Sequence, residues 1–172
     1  MHPAEVENAL KTMIIAVDNR EQPTVQAARR YKAFGCPYRR ETLNVGDYSA
    51  YCSLPNGGIL SLIDSVSIER KYGLSELATC YTHDRQRFER EFERAKEKGM
   101  KTYLLVEDAT WENAYNGKYR SKMRPKAFVA SLLAWLARYD CQLIFCKSET
   151  SGKLIYDILY RELKERLVAI GD

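Results

Sequence analysis

The chain reads as an α/β protein with a mixed central β-sheet flanked by helices. Three observations predict this class. Thr12–Val17, Tyr103–Val106 and Gln142–Cys146 are short apolar runs of strand length. Between them lie longer stretches with apolar residues at helical spacing, such as Phe88, Phe92 and Ala95. Pro55-Asn56-Gly57-Gly58 separates two strand-like runs and is a strong hairpin signal.

A length of 172 residues suits one domain, 1–172, with a sizeable core. The 45% hydrophobic and 29% charged residues are those of a water-soluble globular chain. No apolar run reaches the roughly 20 residues that span a bilayer, and Met1-His2-Pro3-Ala4-Glu5 does not resemble a signal peptide. The expected location is cytoplasmic, either nucleoid-associated or, for a viral protein, the host cytoplasm. Five cysteines without a CxxC pair predict reduced thiols rather than a zinc site or a disulfide frame. The net charge of +4, from 27 basic and 23 acidic residues, permits nucleic-acid binding without arguing for it.

In order, Pro3–Lys11 is a short helix or a loose arm. Thr12–Val17 is a buried strand that ends at the polar turn Asp18-Asn19-Arg20-Glu21. Thr24–Phe34 is helical, stopped by Gly35. Tyr38–Asn44 is a second strand, with Arg39 and Arg40 solvated. Gly46-Asp47 leads into a strand over Tyr48–Ser53, whose hairpin partner begins at Ile59–Ile63. After a kink at Asp64-Ser65, this partner completes as Val66–Lys71. Ser75 is a candidate N-cap for a helical region that carries Leu74, Leu77, Ala78 and Tyr81 and continues through His83–Phe92 to Lys98-Gly99. Tyr103–Val106 is a buried strand with an acidic end, Glu107-Asp108. Trp111–Lys126 reads as a loop, and Pro125 opens a helix with an apolar face of Phe128, Leu132, Trp135, Leu136 and Tyr139. Gln142–Cys146 is the last strand, and Glu149–Val168 the last helix, with Leu154, Ile158, Leu163 and Leu167. Repeats, low-complexity tracts, Walker A, GxGxxG and zinc-finger spacings do not occur.

The chemistry concentrates on Val66–Lys71. Residues two apart on a strand share a face. One face then reads Ser67, Glu69, Lys71 and the other Val66, Ile68, Arg70. Asp47, on the neighbouring strand, offers a second carboxylate. Mg²⁺ prefers one or two carboxylates, keeps several waters and takes phosphate oxygens as further ligands. Asp47 and Glu69 are therefore candidate Mg²⁺ ligands in a phosphodiester-cutting site. Lys71 is the candidate group for orienting water or stabilising transition-state charge.

Asp18-Asn19-Arg20-Glu21, Gly46-Asp47 and Glu69-Arg70-Lys71 together resemble the ordered DxRE, GD and ERK motifs of the XPF-type nuclease domain. That family is a branch of the restriction-endonuclease-like PD-(D/E)xK superfamily. Each motif alone is common; three in order, each on the expected element, form a specific signal. The resemblance spans the chain from about Ile14 to the C-terminal helix. It implies a restriction-endonuclease-like three-layer fold and a Mg²⁺-dependent endonuclease selective for branched, flap or fork DNA, with Mn²⁺ as a substitute ion. Asp18 becomes a third catalytic and metal-binding candidate. Arg20 and Glu21 would orient the site or form an ion pair beside it.

The family places an acidic residue four positions after the ERK lysine. Here Ser75 holds that position and Glu76 follows, which puts the role of Glu76 in doubt. Arg87-Phe88 resembles the family's cleft-lining Arg-Phe. Arg20, Arg70, Arg87 and Arg85 are therefore candidate substrate contacts, and His83 is a weaker candidate base. Glu107-Asp108 is a candidate second metal site or a solvated strand end. Lys118, Arg120, Lys122, Arg124 and Lys126, interleaved with Trp111, Tyr115 and Tyr119, fit both a solvated loop and a DNA-contacting one. Ending at Asp172, the chain is read as a stand-alone nuclease core without the helix-hairpin-helix or helicase domains of many family members. The apolar C-terminal helices suggest a homodimer. A catalytically silent DNA-binding module of the same fold is the rival reading, and an RNA nuclease a weaker one.

Overall fold

The structure, a computed structural model, describes residues 1–170. Its elements are α1 (Pro3–Lys11), β1 (Ile14–Asp18), α2 (Val25–Ala33), β2 (Tyr38–Glu41), β3 (Tyr48–Ser53), β4 (Ile59–Ser61), β5 (Val66–Lys71), α3 (Leu74–Tyr81), α4 (Arg85–Glu97), β6 (Lys101–Glu107), α5 (Trp111–Tyr115), α6 (Pro125–Tyr139), β7 (Gln142–Cys146) and α7 (Ser148–Ala169).

The strands form one mixed sheet in the order β2-β1-β3-β5-β6-β7, with β4 paired to β3. β1 and β2 pair in parallel, as do β5 and β6, and β6 and β7. β3 is antiparallel to β1, β4 and β5, so it alone runs against the others. The β3–β4 turn closes with the Leu54 amide donating to the Gly58 carbonyl at 2.8 Å, where the hairpin is expected.

Helices cover both faces. One core joins α1, α2 and α7 to the sheet through Leu10, Tyr31, Ile155, Leu159 and Leu163. The other joins α3, α4, α5 and α6 through Leu77, Phe88, Phe92, Leu132 and Trp135. Strand alternation divides the sheet residues between them: Ile68 and Leu105 enter the first core, Leu104 and Val106 the second. This is the predicted three-layer α/β arrangement.

Several local expectations are corrected. The polar face of β5 that carries Ser67, Glu69 and Lys71 is buried, because helices cover both sides of the sheet. The expected single helical region after Lys71 is two helices. Thr82 breaks it: its hydroxyl donates to the Ala78 and Thr79 carbonyls at 2.9 and 3.3 Å and so satisfies the end of α3 locally. Gly73, not Ser75, occupies the N-cap of α3. Residues 111–115 are helical, started by Thr110, whose hydroxyl accepts from the Asn113 amide at 3.0 Å. The second strand ends at Glu41. All five cysteines are free. Among the described residues, no helix is long and apolar enough to cross a membrane.

The apolar residues that suggest a homodimer have another use. Phe128, Leu132, Trp135 and Tyr139 of α6, with Leu163 and Leu167 of α7, are buried in the chain's own cores. Leu133 of α6 and Val168 of α7 are exposed.

Gly152 lets α7 approach α2. A Cβ there would lie 2.4 Å from the Arg30 carbonyl oxygen and 2.8 Å from the Ala33 Cβ. Gly152→Ala should lower stability by about 1–3 kcal/mol through overpacking, although alanine is the better helix former by about 1 kcal/mol. Thermal denaturation checks this; an unchanged or raised melting temperature would contradict the close packing.

Candidate active site

The site lies where β1, β5 and β6 end and β3 begins. Because β3 is reversed, its N-terminal end sits beside the C-terminal ends of β1 and β5. Asp47, just ahead of β3, is fastened from three sides. Its amide donates to the Ile68 carbonyl at 2.8 Å and its carbonyl accepts from the Asp18 amide at 2.9 Å. Its Oδ2 accepts from the Arg70 amide at 2.8 Å. Gly46 makes this approach feasible: its φ is +75°, and a Cβ would lie 2.8 Å from the Ser67 Cβ. The Gly46 amide donates to Glu91 Oε1 at 2.9 Å.

Glu69 and Lys71 share a face of β5, as the strand period requires. Lys71 Nζ lies 2.5 Å from Glu69 Oε1 and 5.1 Å from the centre of the Phe88 ring. Burial alone would lower the Lys71 pKa, but Glu69 foremost, with Asp47 and Glu76, drives it above the ordinary lysine value. In this metal-free arrangement Lys71 is held as an ammonium, which can donate a hydrogen bond and stabilise negative charge.

These residues line a cleft of about 580 Å³ together with Arg20, Arg87 and Glu91. Glu91, on α4, is the carboxylate that sequence reading misses. It shares the α4 stripe of Phe88, Phe92 and Ala95, all buried. An acidic residue on a core-facing stripe is the available signal.

The remaining candidates divide. Asp18 is only 1% exposed, and Arg20 grips it at both carboxylate oxygens, the shortest contact being 2.6 Å. Its carboxylate is thus engaged by Arg20, and its amide donates to the Asp47 carbonyl. Arg20 lines the cleft with a half-exposed side chain. Arg70 is not free for substrate, since ion pairs to Glu21 at 3.2 Å and Glu107 at 3.0 Å hold it. Arg85 is turned to a separate hollow with Tyr81, Trp135 and Arg138, while Arg87 lines the cleft. His83 is exposed and not in the cleft wall. Glu76 lines the cleft, and its Oε2 accepts from the Tyr72 amide at 2.8 Å, so it secures the exit of β5. Lys118, Arg120, Lys122, Arg124 and Lys126 are exposed, without salt-bridge partners among the described residues. Arg40 is exposed but not idle: it donates to the Asn19 and Glu21 carbonyls at 2.8 and 2.6 Å.

A buried charge ring closes one side of the cleft. Glu21 pairs with Arg30 at 2.9 Å and with Arg70; Glu107 pairs with Arg70 and, at 3.6 Å, with Arg30. Arg30 Nε also donates to the Tyr48 hydroxyl at 2.9 Å, and that hydroxyl donates to Glu21. Burial would raise the Glu21 pKa, but Tyr48, Arg70 and Arg30 together hold it below the ordinary value. Glu107 is therefore no solvated strand end: its carboxylate, only 4% exposed as a residue, is engaged by two arginines.

Asp47 is the counterexample. Burial first, and the Glu69 charge second, push its carboxyl well above the ordinary range. Burial and Glu69 also raise Glu91. Asp47 Oδ1 and Glu69 Oε2 have no hydrogen-bond donor among the described residues, and both carboxylates line the cleft. Two like charges with open oxygens on one wall fit a divalent cation that needs few protein ligands. No cage of three or more His, Cys, Asp or Glu occurs among the described residues. A Zn²⁺-type closed site does not fit.

The uncompensated Asp47 makes stability depend on pH. Below the ordinary carboxyl pKa of about 4, Asp47 is protonated folded and unfolded, and its contribution to stability is full. As pH rises, the unfolded chain releases this proton first, so the contribution is lost through the raised folded value. Asp47→Asn should therefore raise the metal-free melting temperature at pH 8 but not at pH 4; an equal or lower value at pH 8 would contradict the burial of an uncompensated charge. Arg30→Met leaves two buried glutamates with one arginine and should lower stability by about 3 kcal/mol, measured by urea denaturation.

The model of the ERCC4 domain matches residues 17–158. Among solved structures, the chain is similar to XPF from Aeropyrum pernix, with a TM-score of 0.62 and 18% identity. That alignment covers 87% of this chain and 61% of the archaeal one. It is also similar to XPF from Aeropyrum pernix in complex with DNA, with a TM-score of 0.61 and 22% identity over 89% of this chain and 66% of that one. At these identities the structural likeness establishes the fold, and the chain spans under two thirds of either archaeal chain. A comparison with curated proteins finds no match. Since the domain model covers most of the chain, from the end of β1 into the last helix, the chain belongs to the ERCC4 domain family, a nuclease family.

Proposed function

We propose that the chain is a divalent-metal-dependent DNA endonuclease that acts on branched, flap or fork DNA in repair, recombination or replication. One observation carries the reading: Asp47 and Glu69 present open carboxylate oxygens to one cleft, with the Lys71 ammonium 2.5 Å from Glu69. DNA as substrate is supported by family membership and by the DNA complex of the archaeal XPF.

Asp47 and Glu69 would hold Mg²⁺, or Mn²⁺ in its place, and a bound ion would supply Lewis-acid polarisation of the phosphate and activation of water. Lys71 donates to the phosphate oxygen that gains charge, or orients the attacking water by hydrogen bonding. Arg87 and Arg20, both on the cleft wall, contact the flanking phosphates. Asp18 acts at one remove, fixing the Arg20 guanidinium. Glu91 positions Gly46, and so Asp47, through the Gly46 amide. The exposed cations Lys118, Arg120, Lys122 and Arg124 supply non-specific backbone affinity. A nucleoid-associated, cytoplasmic location fits this activity.

Asp47→Ala and Lys71→Ala should each reduce Mg²⁺-dependent cutting of a fork substrate by at least about 100-fold, the scale of losing one transition-state contact. Cutting at the wild-type rate by purified Asp47→Ala would refute the assignment. EDTA-insensitive DNA binding by wild-type protein that never cuts would favour the catalytically silent module instead.

A further inference from the structure

Tyr72 follows Lys71 directly and is 62% exposed. It is the one aromatic residue on the cleft wall among the described residues; the rest of that wall is charged or polar. Its ring meets no other ring and no cation within the described residues, whereas most aromatic side chains here pack against one another. Its backbone, by contrast, is fixed: the Tyr72 amide donates to Glu76 Oε2 at 2.8 Å. The ring is thus held open at the mouth of a charged cleft.

A lone exposed ring needs no explanation by itself. A second, independent feature points the same way. The connection between α5 and α6 carries Lys118, Arg120, Lys122 and Arg124, all exposed. Its course is tied to the same turn, because the Arg120 amide donates to Ser75 Oγ at 2.9 Å. Ser75 lies only a short step along the chain from Tyr72. The fold therefore ties the connection that carries these cations to the turn that follows the open Tyr72 ring.

A cationic track beside an aromatic platform is the arrangement that binds unpaired nucleic acid. A paired, stacked duplex hides its base faces, so a ring can stack only on a base that has left the helix. We propose that Tyr72 stacks on an unpaired DNA base next to the cleaved phosphate, while the cations of 118–124 follow the backbone of the same strand. The inference rests on the endonuclease reading for its substrate. It names what would make that substrate a branch or flap rather than plain duplex.

The test uses the full chain carrying Asp47→Asn, which removes cutting and leaves Tyr72 in place. Binding is measured by fluorescence anisotropy, in the presence of Mg²⁺, to a blunt DNA duplex and to the same duplex with a single-stranded arm. Adding Tyr72→Ala should weaken binding to the armed DNA about tenfold, within the range for one stacked base, and leave blunt-duplex binding unchanged. Tyr72→Phe should retain the affinity. A 2-aminopurine at the first unpaired position should be quenched by protein with the native Tyr72 and by the Tyr72→Phe variant, but not by Tyr72→Ala. Equal losses on both DNAs, no loss on the armed DNA, or quenching that survives Tyr72→Ala would each overturn the proposal. Because binding and quenching are read without cleavage, a wild-type protein that fails to cut sinks the nuclease reading alone.

Discussion

The central constraint on this molecule is that many carboxylates are enclosed at one end of the sheet, and an enclosed charge needs a partner. Asp18 has Arg20, Glu21 and Glu107 share Arg30 and Arg70, and Glu69 has Lys71. Glu91 has the Gly46 amide and a longer contact to Arg20. Asp47 receives only a backbone amide, from Arg70, as the less enclosed Glu76 does from Tyr72. The charge deficit is therefore local. It falls where the fold leaves two carboxylate oxygens open to the cleft, which is where the proposed divalent cation would offset it. The other pairs hold the surrounding side chains in place, so that the deficit stays at Asp47 instead of spreading through the cluster.

This arrangement depends on backbone geometry as much as on charge. Asp47 reaches the carboxyl ends of β1 and β5 only because β3 runs against them. Gly46 supplies the left-handed turn into that strand and leaves its amide facing Glu91. The Arg70 amide, aimed at Asp47, lies between the two residues of β5 that face the cleft. Thus the strand that carries Glu69 and Lys71 also positions the carboxylate opposite them. A slip of one residue in the β3–β5 register would turn Glu69 and Lys71 to the other core.

Much of this is legible in the sequence. The period of two places Glu69 and Lys71 together, and the hairpin at Pro55–Gly58 leads the chain back so that β3 lies beside β5. The apolar runs mark the strands, and the three short motifs mark the site. What escapes has a common cause. Residues such as Glu21, Arg30, Arg70 and Glu107 lie far apart along the chain, and charged side chains read one at a time look solvated. Only the packing of α2 and β6 against β1 and β5 shows that they close a ring. Glu91 hides among the alternating Arg and Glu of α4, although its spacing from Phe88 and Ala95 puts it on the buried stripe. Five-residue α5 is too short for any period to show, and its only mark is the Thr110 cap.

The site also has two unlike walls. The strand ends, joined by the sheet ladder and the charge ring, form a rigid one. The other wall is α4 with Glu91 and Arg87, together with the turn that carries Tyr72. It packs on the strands through Phe88 and Phe92, buried with Leu104 and Val106, and through the contacts of Glu91 to Gly46 and of Lys71 to Phe88. On the proposed reading, the cation ligands Asp47 and Glu69 sit on the strand-end wall, where the sheet ladder favours precise positioning. Exposed Arg87 and Tyr72 sit on the other wall. A sheet end built in this way can keep its carboxylate pair in place while exposed residues beside it, such as Tyr72 and the cations of the 118–124 connection, vary.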